Sequence, residues 1–354
     1  MGLSSRMSVA LVGCGRIAQI HQQYLAAVPE AELVAVCDAD ARARTTMSGR
    51  AAVPAYATIE ELLRCASPQV VHILTPPPTH APLALQALEA GAHVFIEKPM
   101  AIDSREAETL VVTARRLGLI VTADHNRWFD PVMRRARALI DEGQLGTLTG
   151  VDIFQSAGGE GGEGSLAWKA ALPGGPMHDI APHPAYMLRH LLGALGMVEV
   201  VTELDEAGHV SEARLVARGE RGAGTITLSM RARPAGNWLR IFGSAASIEV
   251  NLNHMTLLRY REQRGNKLVG KIRPNLEVAW QLVSETARNG VDFVTGRQRF
   301  YPGMGAHLRE FYRCLSRELP PPVSAEEARD VVILCERILS PLGAAPAVRV
   351  GVAG

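Results

Sequence analysis

Short apolar runs alternate with amphipathic segments along the first third of the chain. Helix starts are marked at Thr58 and Asp103, each followed three residues later by Glu, and Thr79 is expected to cap a further helix. Apolar strands that alternate with helices are typical of a parallel sheet covered on both faces. The pattern therefore predicts an α/β domain, whose main strands are expected at residues 9–12, 33–37, 70–74, 93–96 and 119–123.

The pattern changes after about residue 126, where strands follow one another without helices between them. Strands in direct succession favour an open-faced, mainly antiparallel sheet, so the second domain is predicted as α+β. Its strands are expected at 147–156, 198–204, 212–217, 224–231, 238–242 and 247–251, and its helices at 131–142, 277–289, 305–317 and 324–342. We place the two domains at residues 1–126 and 127–354.

The first predicted strand ends in Gly13-Cys-Gly15-Arg-Ile-Ala18, which also opens the first helix. In such a turn the first glycine permits the tight bend, and the second lets a pyrophosphate approach the backbone. The small Ala18 lets the helix pack on the strand, and the helix N-terminus offers free N–H groups to phosphates. We therefore expect a dinucleotide-binding Rossmann domain, with Arg16 and Ile17 also at the cofactor.

Asp38 ends the second predicted strand. A carboxylate there can accept hydrogen bonds from both ribose hydroxyls of NAD, and it would repel the 2′-phosphate of NADP. Arg42 and Arg44 follow closely and could neutralise that phosphate, and Asp38 could also be a solvated residue before a helix. NAD is the expected cofactor, with NADP as the less favoured alternative.

Two further strand ends carry candidate site residues. Ligands of open α/β sheets bind at the carboxyl ends of the strands, so the turn Thr75-Pro76-Pro77 with His80 is expected to wall the nicotinamide half of the site. The next strand runs into Glu97-Lys98-Pro99, which places a lysine at the end of a buried strand. Pro99 also makes a cis peptide bond possible at this point.

Together these features resemble the Gfo/Idh/MocA family, which is the glucose–fructose oxidoreductase and inositol dehydrogenase group. The resemblance covers nearly the whole chain and rests on Gly13-x-Gly15-x-x-Ala18, Thr75-Pro-Pro with His80, Ala90-Gly-x-His-Val, Glu97-Lys98-Pro99, Asn126-Arg127 with Pro131, Gly143-x-Leu-Gly146, Gly174-Gly175, Asp179-x-x-x-His183 and Gly243. It implies an NAD(P)-dependent oxidoreductase with a Rossmann domain and an open-faced sheet that often forms the oligomer interface.

The resemblance also implies the site. The catalytic residues would be Lys98, Asp179 and His183. The cofactor residues would be Gly13, Gly15, Arg16, Ile17, Asp38, Thr75, Pro76, Pro77, His80, Glu97 and Lys98. The substrate residues would be Lys98, Arg127, Trp168, Asp179 and His183.

The chemistry of the catalytic trio can be argued from the residue types. Oxidation of a secondary alcohol moves a hydride to the nicotinamide and removes a proton from the hydroxyl. His183 has a suitable pKa to serve as general base or acid. Lys98 would hydrogen-bond the substrate oxygen, and it would share in proton transfer if burial lowered its pKa. Asp179, four residues before His183 on a predicted helix, would orient the substrate or its neighbours.

Other interpretations stay open. Pro182 and Pro184 each remove an N–H from the helix, so we expect a helix start or a kink at His183. His178 is a competing base, and the trio could also be a surface pair with a solvated turn lysine. Trp168 could line the pocket or belong to the core. The glycine-rich stretch 157–165 could form a lid over the substrate.

The expected substrate is a sugar, a cyclitol or a sugar derivative that carries a hydroxyl or keto carbon. Two alternatives remain: a bound-NAD enzyme that uses a transient oxidation for glycoside cleavage or epimerisation, and a non-catalytic NAD-binding regulator. We expect no metal, because no zinc-type array of His or Cys is present. The basic segment 259–273 is interpreted mainly as a solvated hairpin and connector.

Composition supports an enzyme of small metabolites. The 354 residues carry a formal net charge of +1, so no long-range attraction to nucleic acid or membranes is expected. The five cysteines form no C-x-x-C pair, which favours a reducing, cytoplasmic location. No signal peptide or apolar run long enough to span a bilayer is recognised. An open apolar sheet needs covering, so a homodimer or homotetramer is expected.

Overall fold

The computed structural model describes residues 6–157, 169, 172–262, 269–296 and 300–340. Its first sheet has six parallel strands in the spatial order β3-β2-β1-β4-β5-β6. The strands are β1 Met7–Val12, β2 Ala31–Cys37, β3 Ala55–Tyr56, β4 Val70–Ile73, β5 His93–Ile96 and β6 Val121–Ala123. The order reverses between β1 and β4, which is the crevice where doubly wound sheets bind their ligands. The predicted Rossmann-type α/β sheet is confirmed.

Helices connect these strands and cover both faces of the sheet. They are α1 Arg16–Leu25, α2 Ala41–Ala51, α3 Ile59–Ala66, α4 His80–Glu89 and α5 Ser104–Leu117. The side chains of Thr58 and Asp103 accept N–H bonds from Glu61 and Glu106, as predicted. Thr79 occupies the N-cap position of α4, as predicted, but its side chain makes no capping bond: its hydroxyl donates to the Pro76 carbonyl and braces the preceding turn.

The second sheet is mainly antiparallel, as predicted. Its strands run in the order β13-β12-β11-β7-β10-β9-β8, and within the described residues of this sheet only the β7–β10 pair is parallel. They are β7 Leu148–Ser156, β8 Leu195–Leu204, β9 Val210–Gly219, β10 Gly222–Ser229, β11 Asn237–Gly243, β12 Ala246–Asn251 and β13 Thr256–Arg261. Residues alternate between buried and exposed from Ala213 to Arg218 of β9, which is the pattern of a sheet with one covered face.

The remaining helices are α6 Pro131–Asp141, α7 Met177–Ile180, α8 Pro182–Leu192, α9 Val269–Val294, α10 Pro302–Leu315 and α11 Ala325–Leu339. Helix α8 packs on β7 and β10, while α10 returns to pack on α1, and α11 lies against α5 and α8. The last two helices therefore tie the C-terminal segment to the first sheet, and the boundary at 126/127 stays a prediction. Within the described ranges, no helix is both long and apolar enough to cross a membrane.

The hairpin predicted within 259–273 is confirmed, because β13 pairs with β12, but the part from Val269 onward is helical and not a connector. Residues up to Arg261 belong to the edge strand β13, and residues from Val269 onward begin the long helix α9. Helix α9 covers the strand edge with polar side chains: Gln281 bonds both the N–H and the carbonyl of Arg259, and Glu285 accepts the N–H of Leu257. These contacts satisfy backbone groups that an edge strand otherwise leaves unpaired.

Candidate active site

The glycine turn between β1 and α1 has the shape that a pyrophosphate site requires. Gly13 has φ +95°, and a Cβ there would lie 2.8 Å from the carbonyl carbon and oxygen of Leu74. A Cβ at Gly15 would meet no atom within 4 Å, so the space above this residue is open. No side chain within the described residues caps α1 at Gly15, which leaves the first helical N–H groups available. The turn therefore fits a dinucleotide phosphate.

Asp38 lies beside this turn at the end of β2. Its Oδ2 accepts the N–H of Cys14 at 2.7 Å and its Oδ1 accepts the N–H of Asp40 at 2.8 Å, which fixes the carboxylate. The Arg44 guanidinium donates to the carbonyls of Asp38 and Ala39. Arg44 is therefore held on the backbone, and an oriented carboxylate at this strand end favours NAD over NADP.

The turn after β4 is tied to the turn after β5 through His80. This side chain is buried, and its two ring nitrogens lie 2.7 Å from the Thr75 carbonyl oxygen and 2.8 Å from the Pro99 carbonyl oxygen. The structure thus shows His80 holding two site loops together. A direct contact of His80, Pro76 or Pro77 with the cofactor stays a prediction.

Lys98 lies at the carboxyl end of β5, and Asp179 holds its ammonium group. Lys98 Nζ donates to Asp179 Oδ1 and to the Asp179 carbonyl oxygen, each at 2.8 Å, and Lys169 donates to Oδ2 at 2.8 Å. The Lys98–Pro99 peptide bond is cis. The structure brings together two of the three predicted catalytic residues, which are 81 positions apart in the sequence.

The pKa shifts of this pair determine whether Lys98 can take part in proton transfer. Burial alone would lower the pKa of Lys98, but the charge and hydrogen bond of Asp179 outweigh it and raise the pKa above its usual value. In return, the Lys98 charge holds the pKa of Asp179 well below its usual range. The condition for proton transfer by Lys98, a pKa lowered by burial, is therefore not met, and Lys98 is a charged hydrogen-bond donor at neutral pH.

His183 lies in the first turn of α8, just after the helix breaks at Ala181, as the prolines predict. Its Nδ1 is 3.0 Å from the Tyr186 hydroxyl, which also accepts the N–H of Arg127 at 3.0 Å. Two arrangements satisfy this contact: Nδ1–H donates to the hydroxyl and Nε2 keeps a free lone pair, or the hydroxyl donates to Nδ1 and Nε2 carries the ring proton. A general base at Nε2 requires the first arrangement. Burial, followed by the charges of Lys98 and Arg127, lowers the pKa of His183 well below its usual value.

His178, the competing base, is buried and differently held. Its Nδ1 donates to the Pro173 carbonyl oxygen at 3.0 Å, and its Nε2 has no hydrogen-bond partner in the described part of the chain. Burial also lowers the pKa of His178. The choice between His178 and His183 therefore rests on mutation.

A cleft of about 630 Å³ lies between the glycine turn and the second sheet. It is lined mainly by polar side chains, among them Arg16, Arg127, Gln155, Asn237 and Asn253. Gln155 and Asn237 face each other on β7 and β11, and Gln155 Oε1 and Asn237 Oδ1 are buried without a partner among the described residues. Buried amide oxygens of this kind accept hydrogen bonds from a ligand or water.

Sequence reasoning missed Gln155, Asn237 and Tyr186. No local motif marks them, because their placement depends on strand pairing and on packing between distant segments. Arg127 was predicted and lines the cleft. Trp168 and the glycine-rich loop lie outside the described residues, so their predicted roles stay predictions.

Comparison with known proteins identifies the family. Residues 7–125 match the oxidoreductase family with an NAD-binding Rossmann fold, and residues 133–249 match the GFO/IDH/MocA C-terminal domain. The chain belongs to the Gfo/Idh/MocA oxidoreductase family. The resemblance inferred from the motifs is thereby confirmed, together with the NAD-binding class of the first domain.

Named relatives differ in how much of the chain they match. D-glucoside 3-dehydrogenase from Escherichia coli is 33% identical over 196 residues, which span 54% of this chain and 55% of the relative. Myo-inositol 2-dehydrogenase from Thermotoga maritima is 25% identical over 93% of this chain and 94% of its own.

A solved structure supports the fold at low sequence identity. The WlbA dehydrogenase from Bordetella pertussis, determined with NADH and UDP-GlcNAcA, superimposes with a TM-score of 0.77 at 19% identity over 95% of this chain and 96% of its own.

Proposed function

We propose that this protein oxidises a secondary hydroxyl of a sugar, cyclitol or sugar derivative with NAD, or catalyses the reverse reduction. The observation that carries the proposal is the Lys98–Asp179 ion pair at the carboxyl edge of a dinucleotide-binding sheet. In the oxidation, the C–H hydride passes to NAD, the O–H proton leaves to a base, and the products are a ketone, NADH and a proton. Bound NAD supplies the hydride acceptor.

Each residue has a distinct role in this proposal. The Lys98 ammonium donates a hydrogen bond to the reacting oxygen and stabilises negative charge that develops on it. His183 accepts the proton at Nε2, because its lowered pKa keeps the imidazole neutral at pH 7 and Tyr186 holds Nδ1. Asp179 fixes Lys98 through the 2.8 Å bond.

A polyhydroxylated substrate is supported by the polar cleft, whose lining includes Arg127 from the predicted substrate residues but neither Lys98 nor Asp179. Hydroxyl groups can donate to the free oxygens of Gln155 and Asn237, and Arg127 can contact an anionic or hydroxyl substituent. The relatives that act on a glucoside and on myo-inositol favour the same substrate class. The WlbA dehydrogenase, whose structure is similar, was determined with UDP-GlcNAcA, so we include nucleotide sugars in the proposed substrate class.

The direct test offers NAD and NADP in turn against cyclitols, aldoses, glucosides, uronic acids and nucleotide sugars, with absorbance at the reduced-nicotinamide band as the readout. We expect reduction of NAD with at least one member, loss of the signal in His183→Ala, and retention in His178→Ala. The opposite result for the two histidines would reassign the base. Silence with every compound, from protein that binds NAD, would contradict simple dehydrogenation and favour bound-cofactor catalysis or a regulator.

We further propose that the chain works in the cytoplasm as a homo-oligomer. The free cysteines suit a reducing compartment. Helix α9 packs a polar side against the protein and directs apolar residues outward. We define the outer face of α9 by six of these apolar residues, Ile272, Leu276, Trp280, Val283, Val291 and Val294, which are between 56% and 84% exposed. Such a face needs a partner.

A second copy of the chain is the partner that this face fits. An antiparallel pair of α9 helices related by a two-fold axis near Val283 places Leu276 of one helix opposite Gly290 of the second copy. The same register places Trp280 opposite Thr286 and next to Ala287, so each of these large side chains meets smaller ones. The same patch on both subunits is the arrangement that two-fold symmetric dimers use.

Val283→Glu, at the proposed two-fold axis, is expected to convert the oligomer to a smaller species or a 38.1 kDa monomer, because it buries a charge in the helix pair. The measurement is light scattering coupled to size-exclusion chromatography. Val201→Glu, on the exposed part of β8, is the matched control. If Val201→Glu dissociates the oligomer while Val283→Glu does not, the sheet forms the interface instead. A monomeric wild type would reject both arrangements.

A further inference from the structure

Three ionisable side chains meet behind the catalytic lysine, inside the protein. His21 comes from α1, Glu97 from the end of β5 and Asp124 from the segment just after β6, and we call them the buried cluster. His21 and Asp124 are 0% exposed and Glu97 is 8% exposed. One donor atom from each residue lies within 4.8 Å of the others. Neither the proposed reaction nor the cofactor contacts argued above use the side chains of His21 and Asp124.

Two atoms of the buried cluster point at one another without forming a hydrogen bond. His21 Nε2 and Glu97 Oε1 are 3.6 Å apart, which is too long for a direct bond, and neither has a partner elsewhere in the described chain. Unpartnered buried polar atoms are rare and require a water, an ion or another explanation. Donor atoms around a tetrahedral ion with bonds of about 2.1 Å are separated by about 3.4 Å. The His21 and Glu97 atoms are 3.6 Å apart, and a donor atom of Asp124 lies within 4.8 Å of both residues' donor atoms.

The outer atoms of the same side chains are held by neighbours. His21 Nδ1 is 2.9 Å from His72 Nδ1, and His72 Nε2 is 2.7 Å from the Tyr312 hydroxyl. Glu97 Oε2 accepts the N–H of Lys98 at 3.2 Å. Metal ligands are oriented in this way, with one atom fixed by a surrounding group and the other directed at the ion.

Asp124 is fixed in the same manner. Its Oδ1 lies 2.9 Å from His307 Nδ1, and its Oδ2 accepts from Asn126 at 3.3 Å. Each carboxylate oxygen has two lone pairs and can bind an ion in addition. His307 is itself fully buried, so this support belongs to the core and not to the surface.

A cation would stabilise the charged form of the buried cluster. Two carboxyl groups withdrawn from water are costly to ionise unless positive charge compensates them. Burial raises the pKa of Asp124 well above its usual value, and the nearby Lys98 charge offsets only part of that effect. We propose that His21, Glu97 and Asp124 bind one divalent transition-metal ion, of which Zn²⁺ fits the nitrogen and oxygen donors best. Mg²⁺ and Ca²⁺ prefer sites made only of oxygen. The ion would neutralise both carboxylates and anchor the strand end that carries Lys98.

The first experiment measures metal in tag-free, full-length protein that is expressed with added Zn²⁺ and purified without chelator. We expect about one equivalent of Zn²⁺ per chain by plasma mass spectrometry. Asp124→Asn should lower this occupancy at least about tenfold, because it removes a charged ligand. Asp130→Asn is the matched control: Asp130 is also a buried aspartate, 4% exposed, but it lies outside the buried cluster and should retain the metal.

A second measurement keeps the proposal testable if Asp124→Asn does not fold. Wild-type protein stripped with a chelator should melt at a lower temperature, and added Zn²⁺ should restore at least about 3 °C. Co²⁺ in place of Zn²⁺ should give the visible absorption bands of a tetrahedral site. Less than about a tenth of an equivalent of any transition metal, with no effect of Zn²⁺ on melting, would overturn the proposal. Equal metal content in the wild type and both variants would overturn it too. None of these readouts depends on catalytic activity.

Discussion

Lys98→Met is expected to lower the rate of NAD-dependent alcohol oxidation by about 10²–10⁴-fold. Methionine keeps the length and apolar character of the lysine stem but removes the ammonium group that is placed to bond the reacting oxygen. It also removes one of the two lysine partners that lie 2.8 Å from the Asp179 carboxylate. The measurement is kcat with the substrate identified in the panel, together with NAD affinity by titration of the protein.

The matched control for this prediction is Lys169→Met, because both lysines donate to Asp179 at the same distance. Only Lys98 lies at the carboxyl end of β5, so Lys169→Met should cost much less in kcat. Equal losses in the two variants would show that Asp179, and not the Lys98 ammonium, carries the chemistry. Full activity in Lys98→Met would remove Lys98 from the mechanism.

The features that were predictable from the sequence are those encoded within a few adjacent residues. The turn at Gly13 and Gly15 combines a strand, a glycine pair and a helix start, and each part has a local physical cause. The break before His183 follows in the same way from the flanking prolines. The alternation of strands and helices was also sufficient to predict both sheets, because the period of the apolar pattern differs between the two element types.

The features that were not predictable depend on contacts between distant segments. Gln155 and Asn237 become neighbours only when β7 pairs with β11. His21 and Asp124 have no motif in common, so a search for metal-ligand spacing along the chain finds nothing. The raised pKa of Lys98 was not predictable for the same reason, since the carboxylate of Asp179 that raises it comes from 81 positions away in the sequence.

Helix α9 is longer than its local sequence predicts, because contacts with the rest of the protein outweigh residues that disfavour a helix. The sequence predicted a helix only at 277–289, and the Pro274 and Gly270 that precede it are poor helix formers. The observed helix spans Val269–Val294 and contains Pro274 in its second turn. Its polar contacts with the edge strand stabilise it, as tertiary packing often does for helices that are weak by propensity. Its apolar side therefore faces away from the protein, which is the basis of the proposed pairing with a second copy.

Gly13→Ala is expected to destabilise the protein by about 2–6 kcal/mol and to abolish NAD binding. Gly13 has φ +95°, a conformation that alanine strongly disfavours, and the added Cβ would lie 2.8 Å from the Leu74 backbone. Rotation of a side chain cannot relieve either cost, because the atoms that the new Cβ would meet are backbone atoms of Leu74 and Thr75, just after β4. The melting temperature, measured by calorimetry, should fall by at least about 5 °C.

Gly15→Ala separates cofactor binding from folding at the same turn. Gly15 has φ −73°, and its added Cβ meets no atom within 4 Å, so the free energy of unfolding should change by less than about 1 kcal/mol. The methyl group would instead occupy the open space above the α1 N-terminus, where the pyrophosphate must approach. We expect the Kd for NAD to rise about 10–100-fold while the melting temperature is nearly unchanged. A large loss of stability in Gly15→Ala, or unchanged NAD affinity, would show that the phosphates approach the backbone elsewhere.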